Sequence, residues 1–109
     1  LKKTIAFDFD GVVHKYSKGW QDGKIYDEPV EGALEGLVEL YNRGYKIAIF
    51  TTREDTSSVG SWIWKHYNKL FQDQKIIEFE VTNKKPIAIA YVDDRGIRFT
   101  NWKDILNYF

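Results

Sequence analysis

The stretch IAFDFDGVVH, residues 5–14, carries the reading of the fold. Its apolar start, extended by one residue to TIAFDF (4–9), is short, rich in β-branched and aromatic side chains and nearly continuous in apolarity, which predicts a strand buried on both faces. The run then places Asp8 and Asp10 one residue apart ahead of Gly11. Because side chains alternate along a strand, the two aspartates share one face while Phe7 and Phe9 take the other. A chain that points two carboxylates out of the end of a buried strand needs something there to offset their charge.

Working outward, YKIAIFT (45–51) repeats the buried-strand pattern. Between the two runs, EPVEGALEGLVELYNRG (28–44) sets Val30, Ala33, Leu34, Leu37, Val38 and Tyr41 at helical spacing, with Pro29 near its start and Gly44 at its end. DTSSVGSWIWKHYNKLF (55–71) predicts a second amphipathic helix capped by Asp55 or Thr56, with Val59, Ile63, Tyr67 and Leu70 on one face. KIIEFEV (75–81) and IAIAYVDD (87–94) predict two more strands, and NWKDILNYF (101–109) a short terminal helix with Asn101 as its cap. The order strand, helix, strand, helix, strand, strand, helix argues for one α/β domain over residues 1–109 with a mostly parallel sheet. GVVHKYSKGWQDGKIYDE (11–28) fits neither period and predicts a small hairpin or flap turning near Asp22 and Gly23.

Composition narrows the partners. The 109 residues carry 16 basic and 16 acidic side chains, for a formal net charge of zero, so no general basic field draws nucleic acid and any anion site must be local. The absence of cysteine excludes disulfide scaffolds and thiolate metal sites. The opening lysines and apolar patch reach carboxylates too soon for a signal-peptide core, and no run approaches the roughly 18 apolar residues of a membrane span. The expectation is a cytoplasmic protein with no membrane partner.

Ligands of open parallel sheets bind at the carboxyl ends of the strands. There the first strand offers Asp8 and Asp10, the second Thr51, Thr52 and Arg53, and the last Asp93, Asp94 and Arg95. Clustered carboxylates repel one another unless a cation intervenes, and Mg²⁺ takes one or two carboxylates together with waters and phosphate oxygens. A plainer reading makes Asp8 and Asp10 turn-capping residues, with Gly11 supplying an unusual backbone angle. The second acidic strand end, VDD, favours the cation.

These residues resemble the haloacid dehalogenase-like (HAD) superfamily of aspartate-nucleophile phosphohydrolases. DFDGV (8–12) is similar to its first motif, IFTT (49–52) to its second, KKP (84–86) to its third and VDD (92–94) to its fourth, in the family's order and across nearly the whole chain. The resemblance implies a three-layer, Rossmann-like sheet flanked by helices, with a hairpin flap and no cap domain. It further implies a Mg²⁺-dependent phosphatase in which Asp8 attacks phosphorus and Asp10 serves as general acid and base. Thr51 would bind a phosphoryl oxygen and Lys85 offset charge, with Lys84 the alternative motif lysine. Asp8 and Asp93 would hold the metal through their carboxylates and Asp10 through its main-chain carbonyl, with Asp94 supporting the shell. The capless site implies bulky substrates, with a nucleotide or nucleic-acid end as the leading class, unless a second subunit in a homo-oligomer closes it.

Thr52, Arg53, His14 and Lys84 are further substrate-binding candidates. For His14, a residue of the flap, an ordinary surface placement is the competing reading; Arg53 could equally bind phosphate or orient a carboxylate. Tyr16 and Trp20 could stack on a base or simply cover the core edge. Two rival functions are a signalling receiver, whose motif order differs, and a catalytically idle phosphate binder, which needs no acid at Asp10.

Overall fold

The structure, a computed structural model, describes residues 2–71, 77–93 and 99–109. In chain order it contains β1 (Thr4–Asp8), α1 (Ala33–Asn42), β2 (Lys46–Phe50), α2 (Thr56–Leu70), β3 (Phe79–Thr82), β4 (Ala90–Val92) and α3 (Trp102–Tyr108). The strands form a parallel sheet in the order β3-β2-β1-β4, with Phe7 paired to Ile49 on one side and to Val92 on the other.

That register divides the sheet into two different faces. Alternation puts Ile5 and Phe7 beside Ile47 and Ile49, and all four are buried in the core with Leu34, Leu37, Ile63 and Ile105 from the helices. All three helices pack on this face. Phe7 stacks on Trp102 of α3 at 5.3 Å, Phe9 meets the edge of Trp62 of α2 at 5.2 Å, and Trp64 lies 5.0 Å from Phe79. Burying a side chain as large as Phe7 stabilises the fold by about 1.5–3 kcal/mol.

The opposite face carries Ala6, Asp8, Ala48 and Phe50, and the two alanines are each 1% exposed. The α/β class with a parallel sheet and helices is as the sequence predicted; of the three expected layers, the described residues show the sheet and helices on one face. The reason is chain length. Strands β3 and β4 occupy opposite edges, so residues 83–89 must pass β2 and β1 and return to the start of β4. Three strand spacings amount to about 14 Å, within the roughly 26 Å an extended link of this length can span, whereas a helical crossover needs a dozen or more residues. Right-handed crossovers put α1 and α2 on one face on the way out and this link on the other on the way back. The Tyr91 hydroxyl ties the link down by donating to the Pro86 carbonyl.

Helix α1 starts at Ala33, not near Pro29, because Gly32 holds a left-handed conformation at φ 78°. Helix α2 uses Asp55, whose carboxylate accepts from the Ser58 N–H. Its buried face contains Val59, Ile63 and Tyr67 as expected, with Trp62 and His66 added, while Leu70 is exposed. Strands β3 and β4 are shorter than the apolar runs that announced them; residues 75 and 76 of the first run lie outside the described residues. Among the described residues, no helix is long and apolar enough to cross a membrane.

Candidate active site at the strand ends

Asp8 closes β1 and Asp93 directly follows β4. Since Phe7 pairs with Val92, continuing the register by one residue sets the two carboxylate-bearing positions side by side at the carboxyl edge. On the other flank, the ladder runs on past β2, with the Thr51 N–H donating to the Thr82 carbonyl at 3.0 Å. Two adjoining concavities share Asp8, Phe50 and Thr52. One, of about 210 Å³, also touches Asp10, Tyr16 and Thr51. The other, of about 390 Å³, touches Lys85, Tyr91 and Asp93. A larger concavity of about 940 Å³ lies between α1 and α3 and contains none of these groups, so the candidate residues gather at the smaller groove at the strand ends.

Of the two motif lysines, Lys85 lines this groove, with its Nζ 4.5 Å from the centre of the Tyr91 ring. The extended link over the second face brings it from β3 to a position facing Asp8 and Asp93. Lys84 is exposed and fixed through its backbone, its N–H donating to Thr82 Oγ1. Thr51 is 3% exposed and its Oγ1 accepts the Arg53 N–H, which leaves the hydroxyl proton available for donation into the groove. Thr52 is exposed at the mouth.

Asp10 has a different environment. Arg53 meets its carboxylate with Nε on Oδ2 and Nη2 on Oδ1, each at 3.0 Å, and His14 Nδ1 lies 2.8 Å from Oδ1. Thus a guanidinium of this chain offsets the charge of the second aspartate, where sequence reasoning looked to a cation. The Arg53 side chain is 5% exposed, and its remaining terminal nitrogen, Nη1, donates to the Gly23 carbonyl at 2.7 Å. His14 is fully buried among the rings of Phe9, Tyr16, Tyr26 and Trp62, so the surface placement is not observed. The Asp27 N–H donates to His14 Nε2, which makes Nδ1 the protonated nitrogen of a neutral ring and the donor to Asp10.

The segment carrying His14 folds back as a closed loop. Val30 N–H donates to Val13 O and Lys15 N–H to Glu28 O, closing its base with isolated bridges in place of a regular hairpin ladder. Its turn falls where the sequence placed it: Lys24 N–H donates to Gln21 O, with Asp22 and Gly23 both at positive φ. Ser17 donates to Asp27 through both hydroxyl and backbone, which holds the Asp27 carboxyl down at about 2. Trp20 stands 61% exposed above the Arg53 guanidinium, and Tyr16 lines the groove.

Among the described residues no group of three or more His, Cys, Asp or Glu side chains is gathered to hold a metal ion. Asp94 and Arg95 lie outside the described residues. Asp8 and Asp93, both hard oxygen donors bordering one groove, are a donor pair of the kind Mg²⁺ accepts while keeping several waters. No protein-family model, curated protein or solved structure matches this chain.

Proposed function

We propose that this chain is a Mg²⁺-dependent phosphatase of the HAD type, which hydrolyses a phosphate monoester through a phosphorylated Asp8. The observation that carries the reading is the convergence on one groove of Asp8, Thr51, Lys85 and Asp93, drawn from three separate strand ends in the order of the family's motifs. An Asp8 oxygen attacks phosphorus, the bond to the leaving oxygen breaks, and Asp10 supplies the proton that oxygen requires. Asp10 then takes a proton from the water that attacks phosphorus and releases Asp8. Thr51 donates to a phosphoryl oxygen and Lys85 offsets the charge spread over the transferred group. Asp8 and Asp93 would hold Mg²⁺, which when bound would supply the neutralisation that lets an anionic nucleophile approach an anionic phosphate.

A nucleotide or a polynucleotide end is the substrate class we favour, because exposed Trp20 and groove-lining Tyr16 offer aromatic surface beside the phosphate position. The test is a phosphate-release screen over nucleotides, oligonucleotide ends, sugar phosphates and phosphopeptides, with Mg²⁺ and with chelator. Chelator-sensitive release from one class supports the reading and names the substrate. A second reading, a catalytically idle phosphate binder, draws on the engagement of both Asp10 oxygens within the protein. Silence across every class from folded protein that binds phosphate would favour it.

A further inference from the structure

Three hydrogen bonds hold the Asp10 carboxylate, and the holding is asymmetric. A carboxylate offers about four lone-pair sites, two on each oxygen. Among the described residues, Oδ1 accepts from Arg53 Nη2 and from His14 Nδ1, which uses both of its sites, whereas Oδ2 accepts only from Arg53 Nε. One lone pair remains, and it is on Oδ2. The same guanidinium reaches the flap: Nη1 donates to the Gly23 carbonyl at the turn, and the rings of Tyr16 and Trp20 lie within 6.0 and 5.3 Å of its centre. The Asp27 N–H, in turn, fixes the His14 tautomer from the far side of the loop. The backbone N–H of Arg53 is anchored on Thr51 Oγ1, so the guanidinium starts from the same short segment that presents Thr51 to the groove.

We infer that Arg53 and His14 are positioning residues that make Oδ2 of Asp10 the proton-transferring oxygen, and that Arg53 couples this orientation to the docking of the flap through Gly23. The inference rests on the phosphatase reading for the role of Asp10. In the first step the proton leaves Oδ2 for the departing oxygen as the phosphorus–oxygen bond breaks; in the second, Oδ2 takes a proton from the attacking water as the bond from Asp8 to phosphorus breaks. A lysine at position 53 keeps the charge but lacks the planar fork, so it cannot hold both carboxylate oxygens and the Gly23 carbonyl together.

The test uses the full chain with Mg²⁺ and two esters, an alkyl phosphate whose leaving oxygen needs a proton and p-nitrophenyl phosphate, whose leaving group needs little help. Arg53→Lys is compared with wild type, with Asp10→Asn and with the double variant. The expected result is a fall in kcat on the alkyl ester of about a hundredfold, a much smaller fall on the aryl ester, little change in KM, and no further loss when the lysine is added to Asp10→Asn. Hydrogen exchange over residues 15–28, measured without substrate, should accelerate in Arg53→Lys. Equal losses on both esters, or a change in KM alone, would overturn the positioning role; unchanged flap exchange would overturn the coupling. If wild type releases phosphate from neither ester and from nothing in the wider screen, the phosphatase reading fails and takes the proton role with it. The exchange measurement still decides the coupling.

Discussion

Arg53 meets the Asp10 carboxylate with two parallel donors, Nε on Oδ2 and Nη2 on Oδ1, both at 3.0 Å, across 43 positions of sequence. The pair joins the loop after β1 to the loop after β2 and is mostly sheltered, with side-chain exposures of 5% for Arg53 and 21% for Asp10. Bidentate geometry of this kind is among the stronger polar contacts a protein makes.

Removing one partner leaves the other charge unpaired in a partly dry place. Arg53→Ala is therefore expected to lower folding stability by about 2–3 kcal/mol, below the cost of breaking a fully buried pair because water reaches part of Asp10. Urea unfolding of the variant beside wild type measures it. A loss below about 0.5 kcal/mol would mean that the pair behaves as a surface salt bridge.

Gly36 lies in α1 where α3 crosses it. A methyl group there would run into the Trp102 ring, including a contact of 2.9 Å to Cζ3, and Trp102 is pinned both by its stack on Phe7 and by its Nε1 bond to the Val12 carbonyl. Gly36→Ala should destabilise by about 1–3 kcal/mol despite the better helix propensity of alanine. Adding Trp102→Phe, which trims the clashing ring, should make the two effects less than additive in a double-mutant cycle. Strict additivity in the unfolding free energies would show that the α1–α3 contact is looser than described.

The elements of the fold were largely readable because strong patterns produce them: TIAFDF and YKIAIFT are apolar enough to be central strands, and Asp55 and Asn101 cap helices as their positions suggested. That the helices of the described residues all lie on one face was not readable as such. Only the shortness of the link between Val81 and Ile87 hinted at it, and the strand order that forces the link across the sheet is a tertiary fact. At the site, Asp8, Thr51 and Lys85 were visible through motif and spacing. Arg53 was readable as a residue that could orient a carboxylate, but not as the partner of Asp10, and the burial of His14 was not readable, since a buried, tautomer-fixed histidine in a glycine-rich loop has no local sequence signature; only the aromatic density of residues 16–26 pointed that way.

His66 offers a pH test. Burial holds its imidazole below the ordinary value of 6.5, against a partly opposing effect from Glu28, and the Trp62 ring lies 4.5 Å away. With the folded value below the unfolded one, the unfolded chain binds the proton first as pH falls. Stability from this group is complete above about pH 6.5 and declines as pH drops from there through the folded value. His66→Gln should flatten that part of the stability profile in unfolding experiments. Parallel profiles for wild type and variant would assign the decline elsewhere.

Asp27 acts lower on the scale. Its carboxyl is held at about 2, compared with an ordinary 3.8, chiefly by the Ser17 hydroxyl and then by the Ser17 backbone N–H. A depressed carboxyl contributes stability above its unfolded value and loses it as pH falls toward the folded one, so the flap should loosen between about pH 4 and pH 2. Trp20 fluorescence is the local probe. Asp27→Asn should remove this acid transition, and an unchanged transition in the variant would exclude Asp27 as its cause.

The proposed mechanism requires Asp8 to become covalently phosphorylated. The most direct measurement is a single turnover with a radiolabelled phosphate monoester, quenched in acid and followed by peptide mapping, on wild type and on Asp8→Asn. Label is expected on the peptide containing Asp8 in wild type, and neither label nor turnover in the variant. Phosphate release from Asp8→Asn at the wild-type rate would contradict the mechanism.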